Sequence, residues 1–120
     1  MQATDKLWLA KLTTTLQTNI ANPNFNNSDL AQALNISERT LHRKVKTLTG
    51  LTPLQYTRLQ RLQQARVLFQ KGNFKTIKEV AFAVGFVNVD YFSQRYEQVF
   101  KQRPAIFLTA QNTAFGRNEG

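Results

Sequence analysis

The sequence contains no cysteine, which excludes disulfides and thiolate metal sites. It has one histidine, His42, so most metal-ligand sets and histidine acid/base pairs are excluded too. Its seven acidic residues are scattered without pairing, and no glycine-rich phosphate loop is present. The parts of an enzyme are therefore missing, and no cofactor is expected. No apolar run is long enough to cross a bilayer and no signal-peptide pattern is present, so the expectation is a soluble, cytoplasmic protein without a membrane partner.

Positive charge is what the chain has in excess. The formal net charge is +9, and it is unevenly placed: thirteen lysines and arginines lie between Arg39 and Arg103 against Glu79, Asp90 and Glu97. Residues 1–38 are close to neutral. A basic half points to a polyanionic partner, although charge alone leaves open a merely solvated basic surface. With 120 residues the chain can build one small domain, or two half-sized lobes, with a modest core.

Residues 52–70 read as one long helix on which the rest is hung. Thr52 is a candidate N-cap, Pro53 sits where its missing N–H costs nothing, and Gln55 is placed to close a capping box. Leu51 and Tyr56 have the spacing of a hydrophobic staple. Leu59, Leu62, Ala65, Val67, Leu68 and Phe69 supply apolar surface, while Arg58, Arg61 and Arg66 add positive charge. Lys71-Gly72-Asn73 ends the helix.

Sliding the chain against itself by about fifty residues reveals two copies of one unit. Asn26/Thr76, Asp29/Glu79, Leu30/Val80, Ala31/Ala81, Leu34/Val84, Asn35/Gly85 and Ile36/Phe86 pair first. With one extra residue in the second copy, Leu41/Phe92, Val45/Tyr96, Leu48/Val99, Pro53/Pro104 and Tyr56/Phe107 follow.

Before the first copy, Leu7, Trp8, Leu12, Leu16 and Ile20 have the rhythm of an amphipathic helix that opens near Thr4-Asp5 and stops by Asn22-Pro23. Trp8 is expected to be a core anchor. Asn26 and Asp29 then frame a short capped helix ending at Leu34. Asn35, like Gly85 in the second copy, tolerates the left-handed conformation a sharp exit needs. Ser37 caps the next helix, about 38–49. There Leu41, Val45 and Leu48 form a buried stripe and Arg39, His42, Arg43 and Lys46 face outward, with Lys44 at the flank. A short helix, a tight turn and a second helix with a basic free face is the helix-turn-helix arrangement, whose second helix enters the major groove of double-stranded DNA. In the second copy Thr76-Ile77-Lys78-Glu79 reads as a full capping box, and Asn88 caps a helix of about 89–100. Phe92, Tyr96, Val99 and Phe100 face inward there, leaving Val89, Asp90, Tyr91, Ser93, Gln94 and Arg95 outward. A last short helix is expected over 104–110, and 111–120 as a frayed tail.

These stretches resemble the DNA-binding domain of the AraC/XylS family of bacterial transcription regulators. The resemblance rests on Leu41-His42-Arg43-Lys44-Val45-Lys46, Thr49-Gly50-Leu51-Thr52-Pro53, Tyr56, Arg61, Ala65, Ile77, Val80-Ala81, Val84-Gly85-Phe86 and Tyr91-Phe92-Ser93. It implies an all-α fold of about seven helices: a first lobe over 4–51, a linker helix over 52–70, a second lobe over 71–110 and a tail. It also implies base contacts from Arg39, His42 and Arg43 and from Val89, Asp90, Tyr91 and Gln94. Lys44, Lys46, Ser93, Arg95, Lys101 and Arg103 are assigned to phosphates.

Departures from the family pattern gather late in the second copy. Gln94 stands where an arginine is usual, Glu97 and Gln98 where lysines are, Lys101 for a glycine, Arg103 for Ser/Thr and Leu108 for an arginine. The second motif is therefore expected mainly to position, on a major-groove segment about 34 Å from the first. The segment from Trp8 to Phe25 most resembles C-terminal output domains of hybrid two-component regulators. That implies a sensor or dimerisation domain elsewhere in a longer chain, with RNA polymerase as a further candidate partner. A stand-alone protein of this size and a nonspecific basic helical module are the alternatives.

Overall fold

A computed structural model describes residues 1–108, which are helical with no strand among them. Six helices are α1 (Ala3–Thr18), α2 (Asn27–Ala33), α3 (Glu38–Thr49), α4 (Pro53–Lys71), α5 (Ile77–Ala83) and α6 (Val89–Phe100). Residues 105–108 are again helical. The expected end of that last helix, 109–110, and the expected tail, 111–120, lie outside the described residues. Two compact units, Met1–Arg61 and Leu62–Gly120, divide within α4.

In the first unit the core is mainly aliphatic: Leu12, Leu16, Leu30, Ala31, Leu34, Leu41, Val45 and Tyr56 are buried, with Trp8, Leu9, Phe25, Ile36 and Leu51 packed against them. Leu7 departs from expectation, being 71% exposed. At 3.6 residues per turn it lies about 140° from Leu12 and about 180° from Leu16, so Leu9 takes the inward place. Tyr56 is buried with its hydroxyl 3.0 Å from Thr13 Oγ1. Thr13 donates to the Leu9 carbonyl at 2.9 Å, so the tyrosine donates to the threonine.

Arg61 also departs from expectation. It is only 7% exposed, and its guanidinium donates to the carbonyls of Ile20 and, at 3.0 Å, of Asn22. Those carbonyls follow the end of α1, and that of Asn22 also accepts from the Phe25 N–H at 3.3 Å. Burial pushes the Arg61 pKa below its ordinary value. Arg61 therefore pins the segment after α1 rather than adding to surface charge.

The second unit buries rings instead. Phe69 stacks on Phe107 with centroids 5.0 Å apart and meets Phe74 and Tyr96 edge-on at 5.1 and 5.4 Å. Phe92 joins Phe86 at 5.1 Å and Tyr96 at 5.9 Å. Such pairs add about 0.5–1.5 kcal/mol each beyond area burial. The Tyr96 hydroxyl is fully buried and has no hydrogen-bond partner among the described residues. Burial pushes its pKa up to about 12, opposed by the nearby Arg66 charge. Two apolar residues expected inward are not: Val67 is 40% exposed, about 200° from both Ala65 and Phe69 on α4, and Val99, in the last turn of α6, is 42% exposed.

The same turn occurs in both units. After α2, Asn35 has φ 59°, its N–H donates to Gln32 O at 3.0 Å, and the Ile36 N–H donates to Ala31 O at 3.0 Å. After α5, Gly85 has φ 88°, its N–H donates to Phe82 O at 3.1 Å, and the Phe86 N–H donates to Ala81 O at 2.9 Å. Both are Schellman-type exits that satisfy the last carbonyls and turn Ile36 or Phe86 inward.

Caps then set the starts. Asn26 and Asp29 exchange bonds of 2.9 and 3.0 Å, and Thr52 and Gln55 do so at 3.2 and 3.0 Å. The box expected at Thr76 closes differently: Thr76 Oγ1 accepts from the Glu79 N–H at 3.0 Å, but Glu79 accepts from the N–H of Lys75 instead of Thr76.

Candidate nucleic-acid interface

Helix α3 is fixed at both ends and along one side. Ser37 Oγ accepts from the Thr40 N–H at 3.1 Å, Glu38 lies in the positive first turn, and Gly50 closes the other end at φ 77°. Leu41 and Val45 are fully buried, each side chain contributing about 1.5–3 kcal/mol of burial. That anchoring dictates the opposite side: Arg39, His42, Arg43 and Lys46 are all exposed. Together with Thr47, which sequence reasoning did not single out, they line one shallow concavity.

The two lysines of this helix have local partners. Lys46 Nζ donates to the Gly50 carbonyl at 3.0 Å, at the negative end of the helix. Lys44 is half-buried with its ammonium 4.6 Å from the centroid of the Trp8 ring, a cation–π contact. Trp8 thus packs against the core and also holds a cation of α3. Nothing in the spacing of Trp8 and Lys44 signalled that contact.

Helix α6 is built alike and presents a different face. Asn88 Oδ1 accepts from the Tyr91 N–H at 2.8 Å, and Phe92 and Tyr96 are fully buried. Asp90, Tyr91 and Gln94 are exposed, while Val89, Ser93 and Arg95 are half-buried. Arg95, the helix's only cation, has its guanidinium 5.2 Å from the Tyr91 ring centroid and donates to Gln98 Oε1 at 3.0 Å. Arg103 Nε donates to Glu97 Oε2 at 3.0 Å in an exposed ion pair, worth about 0–1 kcal/mol. Lys101 is exposed and ends α6 at φ 60°. Arg95 and Arg103, both assigned to phosphates, are therefore engaged by neighbouring side chains.

Among the described residues no three His, Cys, Asp or Glu side chains gather as a metal site, and no helix is long and apolar enough to cross a membrane. Two short-helix, tight-turn, capped-helix units define a helix-turn-helix DNA-binding protein. A family model described as "Helix-turn-helix domain" matches residues 30–110, and the chain belongs to the AraC-type family of such transcription regulators. It is 36% identical over 90 residues to the HTH-type transcriptional activator RhaS of Pectobacterium carotovorum, covering 75% of this chain and 31% of that one. It is 28% identical over 111 residues to histidine kinase P4 of Formosa agariphila, covering 92% of this chain and 8% of the kinase. The chain thus spans about a third or less of these relatives' lengths. Among solved structures, the DNA-binding domain of the global transcriptional factor AdpA, in complex with a target DNA, superposes with a TM-score of 0.75 at 27% identity, over 93% of this chain and 97% of that one.

Proposed function

We propose that this chain is the sequence-specific, double-stranded-DNA-reading output domain of a longer bacterial transcription regulator. The observation that carries the reading is the free face of α3, where Arg39, His42 and Arg43 stand exposed near the capped start of a helix anchored by Leu41 and Val45. Arginine can meet guanine O6 and N7 with two hydrogen bonds, and His42 can donate or accept beside it. Lys46 and Lys44 serve phosphates once released from Gly50 O and Trp8, with small local cost because both are single lysine contacts. On α6 we assign bases to Val89, Asp90, Tyr91 and Gln94, and phosphates to Ser93, Arg95, Lys101 and Arg103. The first motif does most of the reading.

The lengths of the RhaS and histidine kinase relatives support a sensory or dimerising region outside this segment. The name of the RhaS relative supports a transcriptional role, which we place in the bacterial cytoplasm with RNA polymerase as the candidate downstream partner. Selection from a random duplex pool should enrich an asymmetric site. If about six phosphates are neutralised, log affinity should fall with log salt at a slope of about −5. Equal affinity for all duplexes and for RNA would instead identify a nonspecific basic module.

A further inference from the structure

The single extra residue that the second copy carries lies between Phe86, the counterpart of Ile36, and the cap Asn88, the counterpart of Ser37. That residue is Val87, and it is 73% exposed. The position before an N-cap ordinarily supplies an apolar staple to the fourth helical residue, here Phe92. Phe92 is already fully buried, and Phe86, 5.1 Å away, covers it. The fold therefore has no evident use for Val87. Val89 opens α6 half-exposed, and Tyr91 is 38% exposed, its ring set between Phe86 at 6.2 Å and the Arg95 guanidinium. Three apolar or aromatic surfaces thus fall within five residues at the end of a recognition helix that meets base edges.

The polar groups beside them narrow the ligand. Asp90 is acceptor-only, so it suits the exocyclic amine of adenine or cytosine and not guanine, and Arg95, the cation of α6 that could bond guanine, is held by Tyr91 and Gln98. Gln94 can pair with adenine N6 and N7, and the thymine opposite an adenine carries the only methyl group in that groove. We propose that Val87, with Val89 and Tyr91, packs on thymine C5-methyl groups, so that the second motif selects an A·T-rich half-site without an arginine. This rests on the DNA-reading function above and specifies what the weaker half of the site contains.

The test uses the site enriched from the random pool, with each thymine replaced singly by deoxyuridine, which removes the methyl and nothing else. One or two positions, in the half whose preference Arg43→Ala leaves unchanged, should each lose about fourfold in affinity, the value of one buried methyl. Val87→Ser should erase the thymine-over-uracil ratio at the position that Val87 covers. Val87→Thr, which keeps one methyl and the branched shape, should leave an intermediate ratio, with melting curves checking that both variants fold. An enriched site with no uracil-sensitive position in that half, or a full ratio at every such position in Val87→Ser, overturns this inference alone. A pool with no enriched site overturns the DNA-reading function beneath it as well.

Discussion

The two units make the same turn with the same hydrogen bonds and then diverge on both sides of it. Beneath α3 lie leucines and a valine; beneath α6 lie rings, with Tyr96 standing where Val45 stands in the first copy. Above α3 lie Arg39, Arg43 and Lys46; above α6 lie Asp90, Gln94 and Glu97. The difference teaches that this motif needs only a left-handed residue, a cap and two or three inward side chains. Its outer face and the filling of its core are free to change separately.

Deleting the central ring should give the largest effect. Phe69→Ala should destabilise by about 3–5 kcal/mol in denaturant melts, because Phe69 touches Phe74, Phe92, Tyr96 and Phe107 together. A loss below about 1 kcal/mol would mean that the aromatic core is not what holds the second unit.

Next comes a pH effect confined to that unit. A phenol whose folded pKa is about 12, against about 10 unfolded, contributes stability that is complete below pH 10 and is lost as pH rises through 12. Wild type should therefore lose roughly 1–3 kcal/mol across that window relative to Tyr96→Phe. At neutral pH the phenylalanine variant should be no less stable, since it removes a buried hydroxyl that no described residue pairs. Parallel stability curves for the two proteins from pH 10 to 12 would refute this.

On the outer faces the comparison is one of binding. Arg43→Ala should cost about 1–3 kcal/mol on the selected site and relax one or two base pairs, whereas Gln94→Ala should cost under about 1 kcal/mol. The reverse ranking in titrations would exchange the roles of the two motifs.

The smallest effect concerns helix ends. Gly50 closes α3 at φ 77°, but Lys101 closes α6 at φ 60° with a full side chain. Lys101→Gly should raise stability by about 0.5–1 kcal/mol, seen as a higher melting temperature. No change would show that Lys101 recovers the strain through its side chain.

Much of this architecture was legible because it is local. Ser37, Asn88 and Asn26 announce caps by side-chain chemistry, and Asn35 and Gly85 announce a left-handed turn by shared conformational permission. The period of Leu41 and Val45 put Arg39, His42, Arg43 and Lys46 on one exposed face. What was missed depends on partners distant in sequence. Arg61 reads as surface charge until the carbonyls of Ile20 and Asn22, some forty residues away, close on it. Lys44 reads as free until Trp8 lies under it, and Glu79 reads as bonding Thr76 until the backbone turns Lys75 toward it. Leu7 and Val67 were drawn into apolar stripes by letter type, although their angular positions exclude them.

The chain's only tryptophan, lying beneath a recognition-helix lysine, makes the protein self-reporting. Indole emission originates in the first unit alone, and the ammonium at 4.6 Å is close enough to colour it, so departure of Lys44 toward a phosphate should shift the emission without any label. The second unit, with its cluster of rings and no indole, should speak instead through near-ultraviolet dichroism. Heating the molecule while watching both signals would show whether its two halves melt as one or in sequence.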